Sequence, residues 1–519
     1  MPSNWRWRDR AGRVRLDLNP AVFLTSSVLI VAFVVFALLY RRGFAANVDA
    51  IQAGIAERAG WLYVLVVNVI LGYLIYLLLS PFGRVRIGGA DRRPEFGLTT
   101  WLAMLFSAGM GIGLIFYGVA EPIYHLAERP LGAQAGSPQA FRDATKLTLL
   151  HWGLHAWAIY ALTGLALAYF AFNRGAPLSV RGIFVGLLGD RINGWLGHTI
   201  DVVATVATLF GVATSLGLGA LQVNGGLNYL LGVPIDTGVQ IALIAGITAI
   251  ATLSVVLGLH GGIKRLSVLN ILLAVVLLCF VFAIGPTLFI LNGFVQDVGA
   301  YLDDILEIGF WTETYTGGSW QNGWTVFYWG WWIAWSPFVG LFIARISIGR
   351  TIREFIGGAL FAATLMTFVW IAVFGNSALF IELVGPGGLV AAVQADVNSS
   401  LFVFLGMLPV ATGLDLPPAL LSGIVALTIG LIITFFVTSS DSGSLVIDII
   451  TAGGHPDPPV AQRVYWALAE GVVAAVLLVG GGLAALQTAA ISVGLPFAVV
   501  ILLMIVSLHK ALRSDVSAR

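Results

Sequence analysis

"SAGMGIGLIFYG", residues 107–118, lies in an apolar run long enough to cross a bilayer, yet Gly109, Gly111 and Gly113 alternate inside it and Gly118 follows. Each glycine costs a helix roughly 1 kcal/mol relative to alanine. Close packing of two membrane helices asks for small residues four apart, not two. Alternate glycines suit a backbone that unwinds and offers bare N–H and C=O groups to something small. A flexible helix with a packing face is the competing reading. The stretch therefore separates a plain helical bundle from a fold built round a broken helix.

The surrounding chain is a membrane chain throughout. Of its 519 residues 58% are hydrophobic and 10% charged, whereas a soluble domain carries roughly a quarter charged residues. No soluble core absorbs so much apolar surface, so the fold class is an all-α polytopic membrane protein. A net charge of +1 gives no footing for nucleic acid. The single cysteine, Cys279, excludes a disulfide framework and a cysteine zinc site. The arginine-rich start "NWRWRDRAGRVR" precedes an apolar run too long for a signal peptide, so no cleaved leader is expected.

Apolar runs of about 20 residues mark spanning helices. Twelve are predicted, near 21–40, 62–80, 99–118, 147–172, 200–231, 237–258, 267–291, 322–343, 357–383, 419–451, 461–480 and 484–507. With both termini cytoplasmic, the inside segments hold 21 of the 27 lysines and arginines and the outside segments hold 6. That bias is the positive-inside rule, which an odd helix count would scramble. Loops make up the rest. One outside stretch, 292–310, has the spacing of an amphipathic helix on the membrane surface. Val295, Val298, Leu302 and Ile305 share one side, with Asp303, Asp304 and Glu307 towards water.

Function shows where a membrane chain breaks the rules of lipid. In "HWGLHAWAIY" (151–160), Trp152, Trp157 and Tyr160 fall within an arc of about 140° on a continuous helix and wall one side of a pocket. His151 and His155 are one turn apart, a spacing that can bind metal. Without a supporting carboxylate or cysteine they read as packed, hydrogen-bonded histidines. In "WTVFYWGWWIAWSPF" (324–338), Trp324, Tyr328, Trp331 and Trp335 form a narrow stripe flanked by Trp332. An aromatic packing seam is the plainer reading of it. Pro337 removes a backbone donor and is expected to break or bend the helix. In "TFFVTSSDSGS" (434–444), Thr438, Ser439, Ser440 and Asp441 are polar within a span. Hydroxyl and carbonyl oxygens suit an alkali cation, although helix hydroxyls often bond back to the i−4 carbonyl instead. Asp441 reads as the one carboxylate inside a span, so it pairs with an arginine or titrates.

A ring of tryptophans with no matching carboxylate suits a cation that cannot donate hydrogen bonds. Quaternary ammonium groups bind over aromatic faces in this way. Exposed N–H groups near the glycines suit an anionic end. A zwitterion carrying both groups satisfies the pattern.

"GMGIGLIFYGVAEP", "HWGLHAWAIY", "FYWGWWIAWSPFVGLFIARISIGR" and "FFVTSSDSGS" together carry a family likeness. The sequence resembles the betaine/choline/carnitine transporters over nearly its whole length. The resemblance implies a LeuT-like inverted five-helix repeat with two extra helices in front. Its parts are a cytoplasmic tail (1–20), two peripheral helices (21–98), a first repeat (99–291), an outside loop with the surface helix (292–321), a second repeat (322–508) and a short cytoplasmic tail (509–519). Alternating access and a homotrimer in the bilayer are implied as well. By the same resemblance, the substrate cage is Trp152, Trp157 and Tyr160 with Trp332. Trp331 and Trp335 lie at its margin, and Gly109, Gly111 and Gly113 belong to the unwound backbone. The main sodium site is Ser107, the Met110 carbonyl, Phe435, Thr438 and Ser439. A second sodium site is Thr208 with Phe338. There the hydroxyl residue of sodium-coupled members is replaced by Val212, which tells against two sodium ions.

Proton-coupled choline members carry an aspartate where this chain has Gly113. The resemblance therefore implies sodium symport of a zwitterion such as glycine betaine into a prokaryotic cell across its inner membrane, an osmoprotective uptake. No cofactor beyond the coupling ion is expected, and the short tail implies weak osmotic activation. Within the family the alternatives are a proton-coupled choline importer, a substrate/product exchanger, and a carrier of ectoine or dimethylsulfoniopropionate. A channel needs a continuous polar path or charged rings, and an enzyme needs a nucleophile–base pair. The sequence supplies neither.

Overall fold

The computed structural model describes residues 4–109, 111–257 and 263–517. It opens with an antiparallel hairpin of β1 (Trp5–Arg8) and β2 (Val14–Leu18), with Trp5 opposite Leu18. The expected N-terminal tail is thus an ordered element, and its signal is the period-two "WRWR". The Asp9 carboxylate closes the turn by accepting from Arg13 N (3.0 Å), Ala11 N (2.9 Å) and Arg15 Nε (2.8 Å). These donors, the Arg13 N–H first, hold Asp9 below the usual carboxylate range. The hairpin is seated on the far end of the sequence: Asn4 Nδ2 donates to Ala452 O (2.8 Å) and Gln462 Nε2 to Asp17 O (3.1 Å).

Helices make up the rest of the secondary structure, apart from short 3-10 and π turns. In chain order they are α1 (Pro20–Leu39), α2 (Arg41–Leu79), α3 (Leu98–Gly109), α4 (Ile112–Glu128), α5 (Pro138–Trp152), α6 (Leu154–Arg174), α7 (Val185–Leu188), α8 (Trp195–Leu231), α9 (Thr237–Leu257) and α10 (Ile263–Ile284). There follow α11 (Thr287–Phe310), α12 (Trp320–Gly323), α13 (Thr325–Ile346), α14 (Ile352–Ile356), α15 (Ala363–Leu383), α16 (Leu389–Ala395), α17 (Ser400–Ala411), α18 (Pro418–Thr451) and α19 (Val460–Ser517). Among the described residues ten helical stretches are long and apolar enough to cross a membrane. Two features bring the expected twelve segments onto helix. α19 bends at Gly482 and carries the last two. The third segment is split into α3 and α4 around Gly111.

Several boundaries differ from expectation. α2 begins some twenty residues before the predicted span, because Phe44, Val48 and Ala56 find buried seats that a hydropathy window does not see. The fourth segment starts at Pro138 and breaks at Gly153, between the two halves of "HWGLHAW". A Cβ at Gly153 would run into the Leu149 carbonyl and lie 2.9 Å from the Phe368 ring, so the chain turns there where only glycine fits. α11 covers the predicted surface helix. Ile290, Asp297, Tyr301 and Ile308 pack inward, Val295 and Leu302 are exposed, and Asp304 takes the Lys146 ammonium at 2.5 Å instead of facing free water. α19 continues to Ser517, past the predicted end at 507. Its last turn is tied to α6 by Arg174 Nη2 and Asp515 Oδ1 at 2.7 Å.

α13 is the centre of the bundle. Every residue from Thr325 to Leu341 is buried, against α2, α6, α8 and α19. A helix that is apolar all round belongs in such a place. Pro337 lies within it without breaking it. Proline deprives the Ile333 carbonyl of its usual donor, and Ser336 Oγ supplies one at 2.8 Å.

The bend in α19 rests on one conformation. Gly482 has φ 60 and ψ −138, and nothing lies within 4 Å of a Cβ placed there. The cost of Gly482→Ala is therefore conformational alone, about 1–3 kcal/mol. A lower unfolding midpoint of the purified protein is expected, and an unchanged midpoint would contradict the bend.

Candidate functional site

The break between α3 and α4 puts bare backbone opposite aromatic rings. A Cβ on Gly109 would fall inside the Trp157 ring, and one on Gly113 would stand 2.5 Å from Trp331 and 3.1 Å from Trp152. A Cβ on Gly111 would meet Trp335 at 3.5 Å, an ordinary contact. The alternate glycines thus face the predicted tryptophans. At Gly109 and Gly113 the missing side chain makes room for the rings.

Those rings form a continuous series. Trp152 meets Trp332 edge-on at 4.9 Å between centroids, Trp332 meets Tyr160 at 6.1 Å, and Tyr160 meets Trp157 at 5.8 Å. Trp331 stacks on Trp332 at 4.7 Å and touches Trp335 at 6.4 Å. Trp152 comes from α5 and Trp157 and Tyr160 from α6, so they do not share the one continuous helix that the 140° arc assumed. Trp332 Nε1 donates to His151 O (2.9 Å) and Trp157 Nε1 to Thr367 Oγ1 (3.2 Å). The hydroxyl of Tyr160 and the indole N–H groups of Trp331 and Trp335 are buried without a protein partner. Buried donors left open in a native fold call for a water, an ion or a ligand.

Sequence reasoning missed the polar centre behind the rings. Glu121 in α4 is fully buried. Its Oε1 is 2.6 Å from His151 Nδ1 and 3.1 Å from His125 Nε2, and its Oε2 accepts from Trp152 Nε1 (2.7 Å) and Tyr328 OH (2.5 Å). His151 Nε2 lies 3.0 Å from Thr325 Oγ1. His155 points elsewhere, to Asn68 Oδ1 at 3.1 Å. His151 and His155 are thus both packed and hydrogen-bonded, as expected, and the ligand atoms of Glu121, His125 and His151 lie within 4.8 Å of one another. The i, i+4 pair Glu121–His125 was the available signal. It was lost because the apolar run was ended at 118 while α4 runs on to Glu128.

Asp441 is likewise not alone. Asp201, Asp448 and Glu470 are also helical and fully buried. Asp441 accepts from Ser254 Oγ (2.7 Å) rather than from an arginine, and Glu470 from Ser440 Oγ (2.9 Å). Asp201 is the one held by arginine, with Arg181 Nε at 3.1 Å.

Of the expected main sodium ligands, Met110 and the Ser107 side chain lie outside the described residues. Thr438 Oγ1 donates back to Thr434 O (3.0 Å), the competing role foreseen for it, and accepts from Asn270 Nδ2 (2.9 Å). The Asn270 Oδ1 beside it is buried and open. Phe435 and Gly111 share the wall of a cleft of about 490 Å³ at the helix break. At the second expected position Thr208 Oγ1 donates back to Ala204 O (2.8 Å), as Thr438 does to its own helix. Val212 packs towards Gly443, where a Cβ would come within 2.9 Å of it.

A many-helix membrane protein with a broken helix and a buried aromatic layer has the make-up of a transporter. The chain matches the betaine/carnitine/choline family transporter pattern over residues 21–517 and belongs to that family. It is a transporter and not an enzyme. It is 46% identical over 508 residues to an uncharacterized transporter of Mycobacterium tuberculosis, covering 97% of this chain and 84% of that one. It is 43% identical over 524 residues to a glycine betaine/proline/choline transporter of Vibrio parahaemolyticus (98% and 92% covered). A glycine betaine transporter of Bacillus subtilis, OpuD, is 46% identical over 466 residues (89% and 88% covered).

The ring-over-glycine contacts make a contrast between neighbours. Gly109→Ala must push Trp157 aside, and uptake should fall by more than about tenfold. Gly111→Ala, with only an ordinary contact to Trp335, should retain most of it. Equal effects in a transport assay would mean the rings do not lie as described.

Proposed function

We propose that this protein imports a zwitterionic quaternary-ammonium solute, glycine betaine foremost, by sodium symport with alternating access. The observation that carries the reading is the series Trp152, Trp332, Tyr160 and Trp157 beside three open buried donors, Tyr160 OH, Trp331 Nε1 and Trp335 Nε1. The ring faces suit a trimethylammonium head by cation–π attraction, and the donors suit a carboxylate. The names of the Vibrio and Bacillus relatives support the same solute class.

For the ion, Thr438 and Ser439 in α18 face a site completed by the backbone at the α3–α4 break, with the Asn270 Oδ1 as a further hard oxygen. One sodium ion per cycle fits best, since the second position has an apolar Val212 where a hydroxyl would be needed. The two inverted repeats span 99–291 and 322–508, and the arginine-rich ends lie in the cytoplasm. A proton-coupled choline carrier is the less favoured reading. The aspartate it needs at 113 would be driven against Trp331 and Trp152.

The test is radiolabelled glycine betaine uptake into proteoliposomes under an inward sodium gradient, against an equal potassium gradient. Uptake should need sodium, depend on it hyperbolically rather than sigmoidally, and be lost in Trp332→Ala. Uptake indifferent to sodium would sink the ion site and leave proton coupling or exchange.

A further inference from the structure

The substrate reading above leaves one group without a role: the anion directly behind the aromatic series. Trp152 lies between Glu121 and the place of the onium head, its N–H bound to the carboxylate and its ring edge against Trp332. We propose that Glu121 is the counter-charge through which the site selects a permanently cationic onium over a neutral group of the same shape; this rests on the reading of the cage as a quaternary-ammonium site.

The hydrogen bonds argue for an anion. The ring and hydroxyl groups of His125, His151, Trp152 and Tyr328 converge on its two oxygens, which fills the roughly four lone-pair positions of an ionised carboxylate. His151 Nδ1 lies 2.6 Å from Glu121 Oε1 and its Nε2 lies 3.0 Å from the Thr325 hydroxyl, so the ring is fixed at both nitrogens. The His125 Nδ1 has no partner, so that ring needs only its Nε2 proton. Among the described residues the carboxylate thus has hydrogen-bond donors around it but no lysine or arginine to answer its charge. Buried charges of this kind are paired. An onium head over the ring supplies the partner.

The charge reaches the ligand by two routes. Field acts directly across a water-poor layer, where a charge several Å away is felt far more than in solvent. A carboxylate on the indole N–H also polarises the ring whose face receives the cation. Glu121 fixes geometry too. It orients Trp152 directly, and it holds His151, whose carbonyl takes the Trp332 N–H. It does not touch the substrate, since the Trp152 ring stands between. That arrangement suits a cation held by ring faces, such as an onium with no N–H to donate.

A charge role and a shape role separate by experiment. Binding to purified full-length protein is measured by tryptophan fluorescence or calorimetry for two ligands. One is glycine betaine. The other is 3,3-dimethylbutanoate, in which carbon replaces the quaternary nitrogen and the head is neutral. Wild type should prefer glycine betaine. Glu121→Gln should weaken glycine betaine by at least about tenfold and leave 3,3-dimethylbutanoate within about twofold, so that the preference collapses. Equal weakening of both ligands would make Glu121 a shape residue only and overturn the proposal, as would an unaltered preference. The wild-type arm stands even if Glu121→Gln does not fold. Equal affinity of wild type for the two ligands overturns the charge role while leaving the transport reading in place. If wild type binds neither glycine betaine nor choline, the quaternary-ammonium reading itself fails.

Discussion

Bare backbone under aromatic rings is the contact on which the rest of the structure depends. Indoles reach the main chain at Gly109 (Trp157) and at Gly113 (Trp331 and Trp152), which is possible only because no side chain stands in the way. Seating them there requires that the helix stop, and it does, between α3 and α4. A broken helix in a bilayer is tolerated only inside protein. The wrapping of α13 by α2, α6, α8 and α19, with its seventeen-residue run of complete burial, provides that interior. The fold's most protected region and its most irregular backbone are therefore neighbours by necessity.

The same economy governs the polar groups. The carbonyl freed by Pro337 is taken by the preceding serine. Hydroxyls of Thr148, Thr163 and Thr208 turn back on their own helices. Other buried polar atoms have no protein partner, among them the hydroxyl of Tyr160, the indole N–H groups of Trp331 and Trp335 and the Asn270 amide oxygen. Buried polar groups left unpaired cost free energy, which a bound ligand recovers.

Much of this was legible in the sequence. All twelve apolar segments coincide with helix, because length and hydropathy are the whole requirement for spanning a bilayer. The tryptophans were found by their density alone. What stayed hidden depends on the third dimension. The break at Gly153 was invisible because a single glycine in an apolar run is ordinary. Here it reflects the approach of Phe368 from a distant segment. Glu121 was hidden by a boundary drawn where apolarity fades, and its partners lie 30 and 207 residues away. Asp201, Asp448 and Glu470 sit inside predicted spans and were passed over because short-range reading looks for clusters. Each of them instead finds its partner across a helix pair or a turn. α11 turns Val295 and Leu302 outward, and its inward side carries Asp297, which accepts from the Asn376 amide at 2.9 Å.

The N-terminal hairpin has a bearing on the order of assembly. Asp17 bonds through its main chain to Gln462, 445 residues further on, and Asn19 N donates to Thr451 O. The first strands synthesised thus have no seat until α18 and the start of α19 have been made and inserted. During translation the hairpin must wait at the membrane surface while ten spanning segments pass it. When it docks, it joins the beginning of the chain to the turn between two of its last helices. Non-local closure of this kind comes late in folding, so the hairpin is the clasp that marks a completed molecule rather than the seed from which one grows.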